Sequence, residues 1–205
     1  KQRAAQADAD IGDHARLGDV LVRMGDKAAA ASAFRAAIIL SGGVANPDPA
    51  SWGLWLSYGN ALDGAGQWAE AKAALQTSLK LAPNEPQILN HLGYAMLERR
   101  DDVAEATRLI SKANALKPND TAITDSLGWA YLLSGNTDRA VDVLEAAVLA
   151  SPNEAVIGEH LGDAYWRAGR KIDARYAWNA ARAQLPEHDR ALSERLASKI
   201  QSGPL

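Results

Sequence analysis

The stretch DSLGWAYLLSG, residues 125–135, decides the fold, because its triplet Leu127-Gly128-Trp129 returns along the chain at near-constant spacing. The other copies read Leu17-Gly18-Asp19, Tyr58-Gly59-Asn60, Leu92-Gly93-Tyr94 and Leu161-Gly162-Asp163. Successive glycines are 41, 34, 35 and 34 residues apart. A period near 34 leaves room for two helices and their turns, and units of that kind bury their apolar faces by stacking on one another. A helical solenoid follows, and such a surface ordinarily binds rather than catalyses.

The rest of each period falls into register with the glycine. Twelve residues later stands alanine (Ala30, Ala71, Ala140, Ala174), and sixteen later a large apolar residue (Phe34, Leu75, Leu144, Trp178). Nineteen later comes a small residue (Ala37, Ser78, Ala147, Ala181), and twenty-four later, in three periods, proline (Pro83, Pro152, Pro186). The third period runs one residue late, through Ala106, Ile110, Ala113 and Pro118, and the turn Arg100-Asp101-Asp102 absorbs the extra residue. Small residues allow two helices to cross closely, the large residue fills the space beside the crossing, and proline cannot continue the second helix. Gly25, Gly66, Gly135 and Gly169 mark the turn inside a period, where a left-handed residue costs least if it is glycine. Helices are predicted at 13–24, 27–40, 50–63, 67–81, 86–99, 102–116, 120–133, 137–150, 154–167 and 171–184. A last helix, about 187–201, carries one apolar stripe of Leu192, Leu196 and Ile200. One face of it is expected on the helix bearing Tyr176 and Trp178 and the other in water.

From about Ile11 to Pro186 this pattern resembles the tetratricopeptide repeat, whose template sets an aromatic, Leu-Gly, Tyr, Ala, Phe and Pro in that order. The resemblance implies an all-α right-handed superhelical solenoid of five helix pairs plus a C-terminal capping helix. The repeats span about 11–44, 52–85, 86–120, 121–154 and 155–186, with 187–205 as cap and tail. The opening ten residues read either as a linker or as the tail of an upstream repeat. The chain starts on Lys1 with no leader-like segment, which predicts a part of something longer. Residues 41–51, rich in Gly and Pro, lengthen the first period. They read as a tolerated surface insertion or as a partner-specific loop at the edge of a groove.

Composition narrows the classes. The 205 residues are 47% hydrophobic with a net charge of −3, ample for a folded core. No apolar run is long enough for a membrane span. Cysteine is absent, which removes disulfides and thiolate metal sites. No basic stripe points to nucleic acid. Of the histidines His14, His91, His160 and His188, the pair His91 and His160 stands two residues before a repeat glycine. Two repeats separate them, too far for a shared metal, so a structural or groove-polar role is expected. No nucleophile–base or paired-carboxylate motif stands out, and no cofactor is expected.

In tetratricopeptide folds the first helix of each pair lines a concave groove, and the resemblance carries that assignment here. One residue after the glycine stand Asn60, Tyr94, Trp129 and Asp163; three before it Asn90, Asp125 and Glu159; four after it Asp63 and Trp166. These offsets share one helical face, and the nine residues form the expected peptide-binding groove. Trp55 and Trp178 sit at the template's packing positions and are expected in the core. Aromatic area beside carboxylates suits a segment with apolar anchors and at least one Lys or Arg. A chaperone-type carboxylate clamp is not expected, since Leu56 and Gln87 stand where bases would be needed. Residues 89–185 also resemble the C-terminal repeats of large bacterial envelope proteins, some of which are adaptors; the resemblance favours an adaptor in the periplasm or cell envelope and leaves the cytoplasm as the alternative. The reading is thus a non-catalytic scaffold for another protein or peptide. Its alternatives are a substrate-presenting region of a longer enzyme and a self-assembly module, although nothing in the sequence indicates a homo-oligomer.

Overall fold

The computed structural model describes residues 2–43, 45, 47–186 and 189–204, and side chains from residue 10 onward. The described residues form eleven α-helices, one short 3-10 turn and no strand. In order these are α1 Gln2–Met24, α2 Lys27–Leu40, the turn Pro49–Ser51, α3 Trp52–Gly64, α4 Trp68–Leu81, α5 Pro86–Glu98, α6 Val103–Leu116, α7 Thr121–Leu133, α8 Thr137–Ala150, α9 Ala155–Arg167, α10 Lys171–Ala183 and α11 Arg190–Ser202. Nine of these start and end within two residues of the spans expected from periodicity. The opening residues expected as a linker or an upstream tail are helical from Gln2, continuous with α1. The expected start of the cap, with His188, lies outside the described residues, as do Val44 and Asn46 of the insertion.

The chain divides into two compact units, Lys1–Ala95 and Met96–Leu205. In the first, α1 packs on α2 and α3 on α4. Their core gathers Phe34, Ile38, Trp55, Leu62, Ala71 and Ala74, all nearly inaccessible to solvent. The repeat glycines explain the packing. A Cβ on Gly59 would stand 2.7 Å from Leu75 Cγ, and one on Gly18 would stand 2.6 Å from Phe34 Cε1. The residue sixteen positions on therefore lies directly over the glycine. At the small position, Ser78 donates its hydroxyl to the Trp52 carbonyl at 2.8 Å.

The second unit repeats the device. Leu144 covers Gly128 and Trp178 covers Gly162 at similarly close range. Asp120 caps α7 by accepting the Ile123 amide at 3.2 Å, and Asp189 caps α11 through the Leu192 amide at 3.2 Å, each supplying a partner to an otherwise unbonded first-turn N–H. Leu192 and Leu196 of α11 are buried with Trp178, Ala174 and Ala181, and Ile200 packs against them. The cap thus covers Trp178. Tyr176 on the same helix stays 73% exposed, so that part of the expected covered face is not covered: it points to the other side of α10. The polar face of α11 is open to water at Arg190, Glu194, Arg195, Ser198 and Gln201, and at its edge Arg195 and Lys199 also reach the first-helix side of α9.

Candidate functional site

The nine expected groove residues fall into two sets. Asn60 and Asp63 on α3 and Asn90 and Tyr94 on α5 belong to the first unit and are half-buried. Asp125 and Trp129 on α7 and Glu159, Asp163 and Trp166 on α9 belong to the second, where the structure brings them together. Trp55 and Trp178 lie in the core, at 4% and 0% exposure.

Asp125, Glu159 and Asp163 are not open groove carboxylates. All three are buried and each is matched by a neighbour. Asp125 lies 2.9 Å from the Nδ1 of His160, whose ring stacks on Trp129 at 4.5 Å between centroids with an interplanar angle of 15°. Arg195 of α11 donates to both oxygens of Glu159, through Nε at 2.6 Å and Nη2 at 2.7 Å. Lys199, one turn further along α11, donates to Glu159 at 2.7 Å and to Asp163 at 2.6 Å. The indole N–H of Trp178 donates to the other oxygen of Asp163 at 3.1 Å. Carboxylates so buried persist only when paired and hydrogen-bonded, and α11 supplies what the repeats do not.

The charge states follow. Burial alone would raise Glu159, but hydrogen bonds from Arg195 and Lys199 outweigh it and hold its pKa below the ordinary value. For Asp163 burial wins over the attraction of Lys199, and the pKa is raised. Burial would also favour neutral His160. The charge and hydrogen bond of Asp125 overcome it, with help from Glu159 and Asp163, and the imidazole pKa is raised.

Above this network a cleft of about 590 Å³ opens between α7, α9 and α11. Trp129, Leu132 and Trp166 give it apolar walls, and Arg100, Arg167, Arg195 and Lys199 give it cations. Trp166 is half-buried. Gly203, just past α11, lies against its ring with no room for a Cβ, and Arg175 sits 5.3 Å from the ring centroid. The arrangement offers ring surface beside positive charge. Among the described residues no cluster of three or more metal-ligating side chains occurs, and no helix is long and apolar enough to cross a membrane.

Sequence reasoning missed Arg195, Lys199 and Arg100, and it left the partner of His160 unassigned. One signal was readable. Glu159 and Asp163 are four residues apart, Arg195 and Lys199 are four residues apart, and the two pairs are offset by 36 residues, about one repeat. Two acids and two bases with matching spacing on neighbouring helices can meet rung by rung.

Known proteins agree with this architecture. The tetratricopeptide repeat model matches residues 15–63, 56–121 and 126–189. The chain is 35% identical over 95 residues to the TPR repeat-containing protein PA4667 of Pseudomonas aeruginosa, covering 46% of this chain and 16% of that protein. It is 33% identical over 88 residues to human aspartyl/asparaginyl beta-hydroxylase, covering 43% of this chain and 10% of the relative. It thus spans only a small fraction of the relatives it matches. Among solved structures, TTC0263, a thermophilic TPR protein of Thermus thermophilus, superposes with a TM-score of 0.76 at 22% identity over 93% of this chain and 99% of that one. PilF of Pseudomonas aeruginosa gives 0.71 at 17% identity over 97% and 87%. YrrB, described as a TPR protein with an unusual peptide-binding site, gives 0.62 at 18% over 90% of each. With the repeat glycines, their large partners and a family model running through most of its length, this chain belongs to the tetratricopeptide repeat family.

Proposed function

We propose that the chain is a non-catalytic scaffold that binds a segment of another protein in the cleft between α7, α9 and α11. The tetratricopeptide fold serves as a protein-interaction scaffold, and one observation carries its use at this place. Trp178 is wholly absorbed by the core, whereas Trp129 and Trp166 remain half-buried on the walls of the cleft. Large rings left at the edge of water beside fixed charges are what a peptide anchor needs.

Ser198 tests this directly, because it is exposed and lines the cleft without entering the core. Ser198→Trp should block peptide capture while leaving the helical spectrum intact. Leu149→Trp, at a position 83% exposed on α8, should leave capture unchanged. Equal capture by both variants would remove the cleft from consideration.

The finer reading, an adaptor of a bacterial cell envelope, draws on the resemblance of residues 89–185 and on the Pseudomonas relative. Fractionation of cells expressing the full gene product tests it: recovery with the cytoplasm would count against it. A second reading, repeats that present a substrate to a catalytic domain in a longer chain, draws on the match to the human hydroxylase. The full-length sequence decides that case.

A further inference from the structure

The three buried acids of the second unit are paired from within by His160, Arg195 and Lys199, and the Trp178 indole adds a hydrogen bond to Asp163. Two cations of the cleft are left over. Arg100 and Arg167 line it, both are exposed, and among the described residues neither makes an ion pair. Glu98 acts electrostatically on Arg195. Around the cleft, four cations (Arg100, Arg167, Arg195, Lys199) therefore meet three acids (Glu98, Glu159, Asp163), and the surplus is positive.

Arg100 carries a second mark. It stands seven residues after its repeat glycine, where the other repeats hold Gly25, Gly66, Gly135 and Gly169. Those glycines have φ of 84°, 78°, 81° and 80°, and Arg100 has φ of 51°. An L side chain is disfavoured in this left-handed region and glycine is not. The third repeat keeps a side chain at this strained turn, and that side chain lines the cleft.

Building on the cleft as a peptide site, we propose that its partner is an extended segment with an apolar or aromatic residue beside an Asp or Glu side chain. The apolar group lies on the Trp129 and Trp166 walls, and the carboxylate is held by Arg100 and Arg167. Guanidinium groups suit carboxylates because their planar fork can donate two parallel hydrogen bonds. This reverses the sign expected from the sequence. The acids that would have drawn a Lys or Arg are already matched by α11, so a cationic segment meets net repulsion.

The experiment is selection of a random dodecapeptide library, displayed without a free C-terminus, on the immobilised chain. Pools enriched in Asp or Glu next to an apolar residue, and depleted of Lys and Arg, are expected. A synthetic selected peptide, amidated at its C-terminus, should lose about two- to fivefold in affinity on Glu→Gln, and similarly against Arg167→Gln or Arg100→Gly, as one exposed ion pair is removed in each. Arg100→Gly suits the turn and should not lower the melting temperature, so weaker binding there is not unfolding. Pools rich in Lys and Arg, or indifferent to charge, that are still blocked by Ser198→Trp would overturn the partner chemistry and leave the cleft standing. A pool that binds Ser198→Trp as well as wild type would overturn both. Tight binding only by peptides with a free C-terminal carboxylate would also overturn the proposal, since the acid recognised would not be a side chain.

Discussion

His91 and His160 occupy the same place in their repeats, two residues before the glycine, and end in opposite circumstances. His160 is buried, bonded to Asp125 and stacked on Trp129, with a raised pKa. His91 is exposed on α5, and desolvation by its surroundings lowers its pKa. The residues one repeat upstream explain the contrast. Asp125 and Trp129 stand three before and one after Gly128; the same places around Gly59 hold Leu56 and Asn60. A buried leucine offers no charge to hold an imidazolium. The next repeat extends the difference, with Asn90 and Tyr94 where the second unit has Glu159 and Asp163. The side of each first helix that faces its partner is governed by the repeat. The opposite side is governed by whichever residues the neighbouring helix happens to present.

The largest effect expected is on the acidic side of this comparison. Lys199→Met leaves Glu159 and Asp163 buried with one cation fewer, and losing one partner of a buried pair costs about 3 kcal/mol or more. Denaturant unfolding should show it. The equivalent loss has no counterpart in the first unit, where no acid among the described residues is buried. A Lys199→Met chain as stable as wild type would mean that the network is solvated and carries no structural weight.

The glycine side should behave alike in both units. Gly59→Leu and Gly128→Leu each drive a side chain into a leucine, Leu75 or Leu144, and overpacking of this kind costs about 1–3 kcal/mol. If one variant melts with wild type while the other collapses, the shared register is broken at that repeat.

The two histidines should titrate in opposite directions from the ordinary 6.5, His91 below and His160 above, as read from their ring proton shifts. The linkage has a definite sign. A histidine whose folded pKa exceeds its unfolded value stabilises fully below the unfolded value and loses that contribution as pH rises through the folded one. The melting temperature of wild type should therefore fall, relative to His160→Gln, as pH is raised above about 6.5. A constant difference across that window would show that the His160 ring is already uncharged at its start, against the raised pKa.

The smallest effect is at the turn. Arg100→Gly should raise stability by about 0.5–1 kcal/mol, by relieving a left-handed side chain. The same change at Gly66 or Gly135 cannot be made, because these positions already hold the favoured residue. A destabilised Arg100→Gly would show that the arginine is held by contacts that offset its strain.

The pair-to-pair packing was legible in the sequence because it depends on residue size at fixed offsets. Gly128 with Leu144 and Gly162 with Trp178 could be matched by counting, and helix bounds followed from the turn residues. Core placement of Trp55 and Trp178 followed from the same register. The chemistry of the cleft was not legible in that way. The residues at its expected positions were named, but their charge balance depends on how α11 is rotated against α9. An apolar stripe of Leu192, Leu196 and Ile200 fixes which side of α11 is buried, and leaves open how far Arg195 and Lys199 reach past its edge. Arg100 was hidden for another reason: its register, seven residues after Gly93 where the other repeats hold glycine, marks it as a turn residue, and nothing in that register says that its side chain lines a cleft.

Six tryptophans divide evenly between the units, Trp52, Trp55 and Trp68 in the first and Trp129, Trp166 and Trp178 in the second. Their indole N–H resonances therefore report where a peptide sits. Titration of the 15N-labelled chain with a selected peptide should shift Trp129 and Trp166 most, leaving Trp52, Trp55 and Trp68 in place. Largest shifts among the tryptophans of the first unit, or saturating binding that moves neither Trp129 nor Trp166, would contradict a binding site between α7, α9 and α11.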